Sequence, residues 1–117
     1  MNEFDLGWII GFIECAGSFT KNTIIIAKNG KKYIYVTPQF FLTLSDPSAV
    51  ETVQRLLRMG KITLGGRRLE IRRKEELLRF AELLSGRLKT DRRQREFESW
   101  VRLLLQWKER GSRHTSE

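Results

Sequence analysis

The sequence predicts an α+β fold: a four-stranded antiparallel sheet with helices on one face, in the order αββαββα and then one further helix. Three observations point there. Two stretches alternate apolar and polar residues around tight-turn signals at Asn29-Gly30 and Gly65-Gly66, the pattern of β-hairpins. Each hairpin is preceded by a segment with the character of a helix. At 117 residues and 40% apolar content, the chain can bury one core but not two comfortable ones. Residues 1–110 are therefore read as a single domain and 111–117 as a tail.

The first helix is read from Phe4 to about Cys15, "FDLGWIIGFIEC", apolar on nearly every side. Gly7 and Gly11, four apart, share one of its faces. Small residues at that spacing let another helix backbone come close, so one side is expected against its own sheet and another against a partner helix. An ordinary buried helix with incidental glycines is the alternative. "SFTKNTIIIAK" and "YIYVTPQFFLTL" follow as the strands of a long hairpin, with Asn29-Gly30 at the turn. Pro38 lacks a ladder donor, which predicts an irregularity or an open side there. Ser45-Asp46-Pro47 offers an N-cap and a first-turn proline, and Val50, Val53 and Leu57 carry a second helix up to Met59-Gly60. In the short hairpin, Leu69 and Ile71 alternate with Arg68, Glu70 and Arg72, giving a core face and a charged face. Leu77, Ala81 and Leu84 define a third helix ending at Gly86. Phe97, Trp100, Val101 and Leu104 define a fourth that fades into "GSRHTSE", read as disordered.

The formal charge is +8 and the pI about 10.2, which favours a polyanionic partner. The charge is regional. Residues 1–20 contain no Lys or Arg, whereas residues 54–95 carry fourteen against five acids. No apolar run approaches the roughly 20 residues needed to cross a bilayer, so the expectation is a soluble, intracellular protein without a membrane partner. Cys15 is the single cysteine and His114 the single histidine, which leaves no internal disulfide and no Cys/His metal site.

Alternation places Thr20, Asn22, Tyr35, Thr37, Gln39, Phe41, Thr43, Lys61, Thr63, Arg68, Glu70 and Arg72 on the helix-free face of the sheet. Amides, hydroxyls and guanidiniums on such a face suit the base edges of a DNA major groove. Gln39, Arg68 and Arg72 are the expected base readers. Lys28, Lys31 and Lys32 at the hairpin turn are expected to meet phosphates, with Arg67 a further DNA-contacting cation. The plain alternative is the solvated side of an antiparallel sheet.

The helix-to-strand passage "WIIGFIECAGSF" resembles the LAGLIDADG motif of homing endonucleases, and the element order around it agrees. The resemblance implies a saddle-shaped sheet over the major groove and motif helices packed between two subunits, here through Gly7, Ile10, Gly11 and Glu14. One motif copy implies a homodimer on a long, near-palindromic double-stranded DNA site. It also implies Mg²⁺-dependent hydrolysis by an intron-encoded nuclease, with the metal held by the acid just before the closing Gly and by a neighbouring carbonyl, that of Cys15. This chain has Ala16 where that acid belongs. Lys89, Asp91 and Arg92 fall in the basic run where family members place a catalytic-pocket lysine. The resemblance therefore implies sequence-specific DNA binding with weakened metal binding and impaired cleavage. A non-cleaving DNA-binding regulator, an RNA-binding splicing cofactor and a basic component of an RNA–protein assembly are the alternatives.

Overall fold

The side chain of Asn2 accepts a hydrogen bond from the Asp5 amide at 2.8 Å and so starts the first helix at its N-cap. In the computed structural model, which describes residues 1–115, this helix α1 spans Glu3–Ala16 and buries Leu6, Ile9 and Ile13. The chain passes straight into strand β1 (Gly17–Lys28), turns at Asn29 and Gly30, and returns as β2 (Lys31–Thr43). Asn29 and Gly30 have φ values of 54° and 73°, the left-handed pair of a type I′ turn. Helix α2 (Pro47–Leu57) follows, capped by the Asp46 carboxylate on the Ser48 amide at 2.9 Å. Strand β3 (Lys61–Thr63), a short 3-10 turn (Leu64–Gly66) and β4 (Arg68–Ile71) make the second hairpin. Helices α3 (Lys74–Leu84) and α4 (Asp91–Thr115) complete the chain.

The four strands form one sheet in the order β1-β2-β4-β3, antiparallel throughout. One face is covered by helices. Phe40 and Leu42 of β2 and Leu69 and Ile71 of β4 point into it and are fully buried, together with Val50 and Val53 of α2, Leu77, Phe80 and Leu84 of α3, and Leu104 of α4. Phe80 takes the central place in α3, while Ala81, expected in the core, is half-buried at its margin.

Gly17 joins helix to strand because nothing larger fits. A Cβ there would stand 2.7 Å from the Ile13 carbonyl oxygen and 3.1 Å from the Phe40 ring, so the close approach of α1 to β2 requires glycine. The foot of the long hairpin is fastened by aromatics. Phe19 sits 5.3 Å from the Phe40 ring, 5.5 Å from Phe97 and 5.3 Å from Trp100, centroid to centroid, and such pairs contribute about 0.5–1.5 kcal/mol each beyond area burial. The Trp100 indole donates to the carbonyls of Gln39 at 2.9 Å and Thr20 at 3.1 Å. Strand β2 runs unbroken through Pro38, and β4 pairs with it only from Phe40 to Thr43, so of the two expectations for Pro38 the open side is the one that holds.

Beyond this foot the hairpin leaves the body. The radius of gyration is 15.7 Å and the long axis 51 Å, against about 13.4 Å for an ordinary compact chain of this length. Two expectations shift at the C-terminal end. Helix α3 stops at Leu84 rather than Gly86. Thr90 accepts the Gln94 amide at 3.0 Å and opens α4, so Asp91 and Arg92 lie in the first turn of that helix. Helix α4 runs to Thr115, into the segment 111–117 expected as a tail, and residues 116 and 117 lie outside the described residues. No helix among the described residues is long and apolar enough to cross a membrane.

Candidate nucleic-acid interface

The register puts Phe41, Glu70 and Lys61 in one row across the helix-free face, and Thr43, Arg68 and Thr63 in the next. Phe41 anchors both arginines. The guanidinium carbons of Arg68 and Arg72 lie 5.2 Å and 5.0 Å from its ring centroid, within cation–π range. Arg68 Nε donates to the Thr43 hydroxyl at 3.0 Å. Glu70 holds the group from the other side: Oε1 accepts from Arg72 Nε at 3.0 Å and Oε2 from the Thr63 hydroxyl at 2.9 Å. Burial raises the Glu70 pKa, but the Thr63 hydroxyl, Arg72 and Arg68 outweigh it and bring it below the usual value. Glu70 is therefore a fixed anion that positions two cations, rather than the independent DNA contact its place on the face suggested.

Along the hairpin the same face carries Ser18 opposite Phe41, Thr20 opposite Gln39, and Asn22 opposite Thr37. Ile24 then faces Tyr35, Ile26 faces Tyr33, and Lys28 faces Lys31. Two expectations change here. Gln39 is only 7% exposed, because it lies at the foot where neighbours close around the strand, so it has little surface to offer a base. Lys32 pairs with Ala27 on the opposite face, which separates it from Lys28 and Lys31. Alternation carries the second change, and a strict period-two count from Gln39 finds it. Lys61 and Arg67 are exposed, and Arg67 Nε donates to the Leu64 carbonyl at 3.4 Å.

At the inner end of the face, α1 meets the start of α4. The Glu14 carboxylate accepts the amides of Lys89 at 2.8 Å and Thr90 at 3.2 Å, and the Thr90 hydroxyl at 2.8 Å. Burial raises its pKa, yet these donors and the nearby Arg93 leave it below the usual value. An anion at the first turn of α4 also suits that helix dipole. Arg93 Nε donates to the Glu14 carbonyl at 2.8 Å, and its Nη1 meets Glu96 at 3.0 Å. Nothing local in the sequence singles out Arg93. Arg92 pairs with Glu96 at 3.0 Å along α4. Asp91 is exposed at the helix start, and Lys89 contributes its main chain to the Glu14 site.

No family model matches the sequence, and no curated protein sequence matches it. Solved structures do match. A homing endonuclease, I-TnaI, superposes with a TM-score of 0.74 over 89% of this chain and 73% of its own, at 20% identity. The group I intron-encoded homing endonuclease I-CeuI, solved with DNA, gives 0.76 over 92% of this chain and 57% of its own, at 15% identity. The LAGLIDADG meganuclease I-AabMI, bound to uncleaved DNA, gives 0.70 over 93% and 38%, at 23% identity. The fold is that of the LAGLIDADG homing endonucleases.

On this LAGLIDADG fold, the outer side of α1 is bare. Phe4 is 81% exposed, Gly7, Gly11 and Cys15 are exposed, and Ile10 is half-buried. A Cβ added at Gly7 or Gly11 would meet nothing within 4 Å. Glu14, expected among the subunit contacts, is committed within the chain to the start of α4. The helix ends at Ala16, half-buried beside the core. The donor set there does not fit a hard divalent cation, which takes several oxygen ligands and favours carboxylates. Ala16 offers a methyl, Glu14 is engaged elsewhere, and Cys15 contributes at most its carbonyl. Among the described residues, no three His, Cys, Asp or Glu side chains gather to hold a metal ion.

Proposed function

We propose that this chain binds a long, near-palindromic double-stranded DNA site as a homodimer, and holds that site without cutting it efficiently. The observation that carries the reading is the open sheet face, with Arg68 and Arg72 fixed by Phe41 and Glu70 and a hairpin extending outward from them. Pre-positioned guanidiniums are the side chains best suited to guanine edges, and the regional excess of Lys and Arg supplies phosphate attraction. The bare stripe of α1 supports pairing with a second copy, since its glycines leave room for a helix backbone. Structural neighbours solved with DNA support the polymer. Ala16 supports the loss of cleavage, because metal-assisted phosphodiester hydrolysis needs anionic ligands that this helix end lacks.

The test begins with duplexes selected from a random pool by the purified protein. Incubated with Mg²⁺, the selected site should stay intact with the Ala16 protein and be cut near its centre by the Ala16→Glu variant, with a rate difference of several orders of magnitude. Rapid cutting by the unaltered protein would overturn the assignment of position 16. Tight binding with an inert Ala16→Glu variant would leave a DNA-binding regulator with no nuclease past.

A further inference from the structure

The DNA-facing side of the long hairpin changes chemistry in three steps, and the middle step has no assigned role. Nearest the body, Thr20, Asn22 and Thr37 present hydroxyls and an amide. At the far end Lys28 and Lys31 present cations. Between them the cross-strand pairs Ile24–Tyr35 and Ile26–Tyr33 form an apolar block with exposures of 43%, 38%, 46% and 43%. No helix covers it. Apolar side chains left on the face that meets a polyanion carry a cost that ordinary solvation of the hairpin does not explain.

We propose that this block reads thymine through its 5-methyl group at the outer part of each half-site. The inference rests on the sheet being the DNA-binding face. The methyl of thymine is the apolar group that a major-groove base edge presents, whereas a G·C pair offers N7, O6 and an N4 amine, all of which lose water without a partner against isoleucine. The position follows from strand rise. Ile24 and Ile26 lie seven and nine residues from Gly17, where β1 leaves the motif helix, or roughly 24–31 Å at about 3.4 Å per residue. At about 3.4 Å per base pair this places the block some 7–9 pairs from the centre of the site. The tyrosines stand beside the isoleucines on β2, and their hydroxyls stay able to meet a phosphate or an adenine edge. Ile25 and Ile34, exposed by 63% and 62% on the opposite face, share the strand preference of the block but point away from the duplex. They serve as an internal control for hairpin stability.

Deoxyuridine in place of thymine deletes the methyl and leaves base pairing intact, so it isolates the proposed contact. With the full chain and its selected duplex, uridine at thymines about 7–9 pairs from the centre should weaken binding about fourfold per methyl buried. That sensitivity should vanish in Ile24→Ser, Ile26→Ser double-variant protein and persist in Ile25→Ser protein. Methylating a cytosine at C5 in the same window should strengthen binding. A protein that selects a duplex but is indifferent to uridine, or selects G·C pairs across that window, overturns this inference and leaves the DNA-binding reading standing. Failure to select any duplex overturns both.

Discussion

The foot and the tip of the long hairpin belong to the same two strands but are held by different forces. At the foot, Phe19 and Phe40 lock into Phe97, Trp100 and Phe80, while β4 pairs with β2 from Phe40 to Thr43. At the tip, residues 21–35 are exposed on both faces, and the ladder with its cross-strand pairs is what holds them. On the proposed DNA-binding reading, the contrast separates two modes of recognition. Side chains at the foot have one geometry before any partner arrives, so Arg68 and Arg72 can discriminate. The tip has few buried contacts and opens at lower free-energy cost, so it can follow the curvature of a duplex.

Trp100→Ala should give the largest effect, about 3–5 kcal/mol of lost stability by denaturant unfolding, because it removes a buried ring and the donor to two strand carbonyls. The matching change at the tip, Ile25→Ala, should stay within about 0.5 kcal/mol. Equal losses would break the comparison. Next, Arg68→Ala should cost about 1–3 kcal/mol at particular base pairs in a binding selection and relax preference there. Binding that weakens equally across all sequences would remove the foot as the site of discrimination.

Glu14→Gln tests a second anchor of the foot, the tie between α1 and the start of α4, and should cost about 1 kcal/mol after allowance for its partial exposure. Because the folded pKa of Glu14 lies below its ordinary 4.5, its contribution is fully present above that pH and is lost as pH falls through the folded value. The stability gap between parent and Glu14→Gln protein should thus be constant above about pH 5 and shrink as pH falls below 4.5 in urea melts. A constant gap down to pH 3 would remove the carboxylate's charge from the account. The smallest effect belongs to the tip: Lys31→Ala should weaken all duplexes alike and reduce the salt slope by about 1. A base-specific loss there would move discrimination outward.

Much of this architecture was legible in local patterns. Period-two alternation around Asn29-Gly30 and Gly65-Gly66, the Asp46-Pro47 start of α2 and the helical spacing of Val50, Val53 and Leu57 are properties of a few neighbouring residues, and each specifies its element whatever the rest of the chain does. Alternation also assigned the helix-free face, since side-chain direction in a strand repeats every two residues. The departure at Ala16 was likewise visible in one short motif. What depended on the folded chain was the destination of single polar groups. Glu14 reads as an interface acid until its carboxylate meets Lys89 and Thr90, 75 and 76 residues away. Arg93 gains its role from the same meeting, Gln39 loses its exposure to neighbours around the hairpin's foot, and Glu70, which meets Arg72 two residues on, is fixed from its other oxygen by Thr63 only when β3 and β4 pair. Hydrogen bonds and burial between distant segments have no period in the sequence, so tertiary packing alone decided which charged and polar groups the face presents and which it keeps for itself.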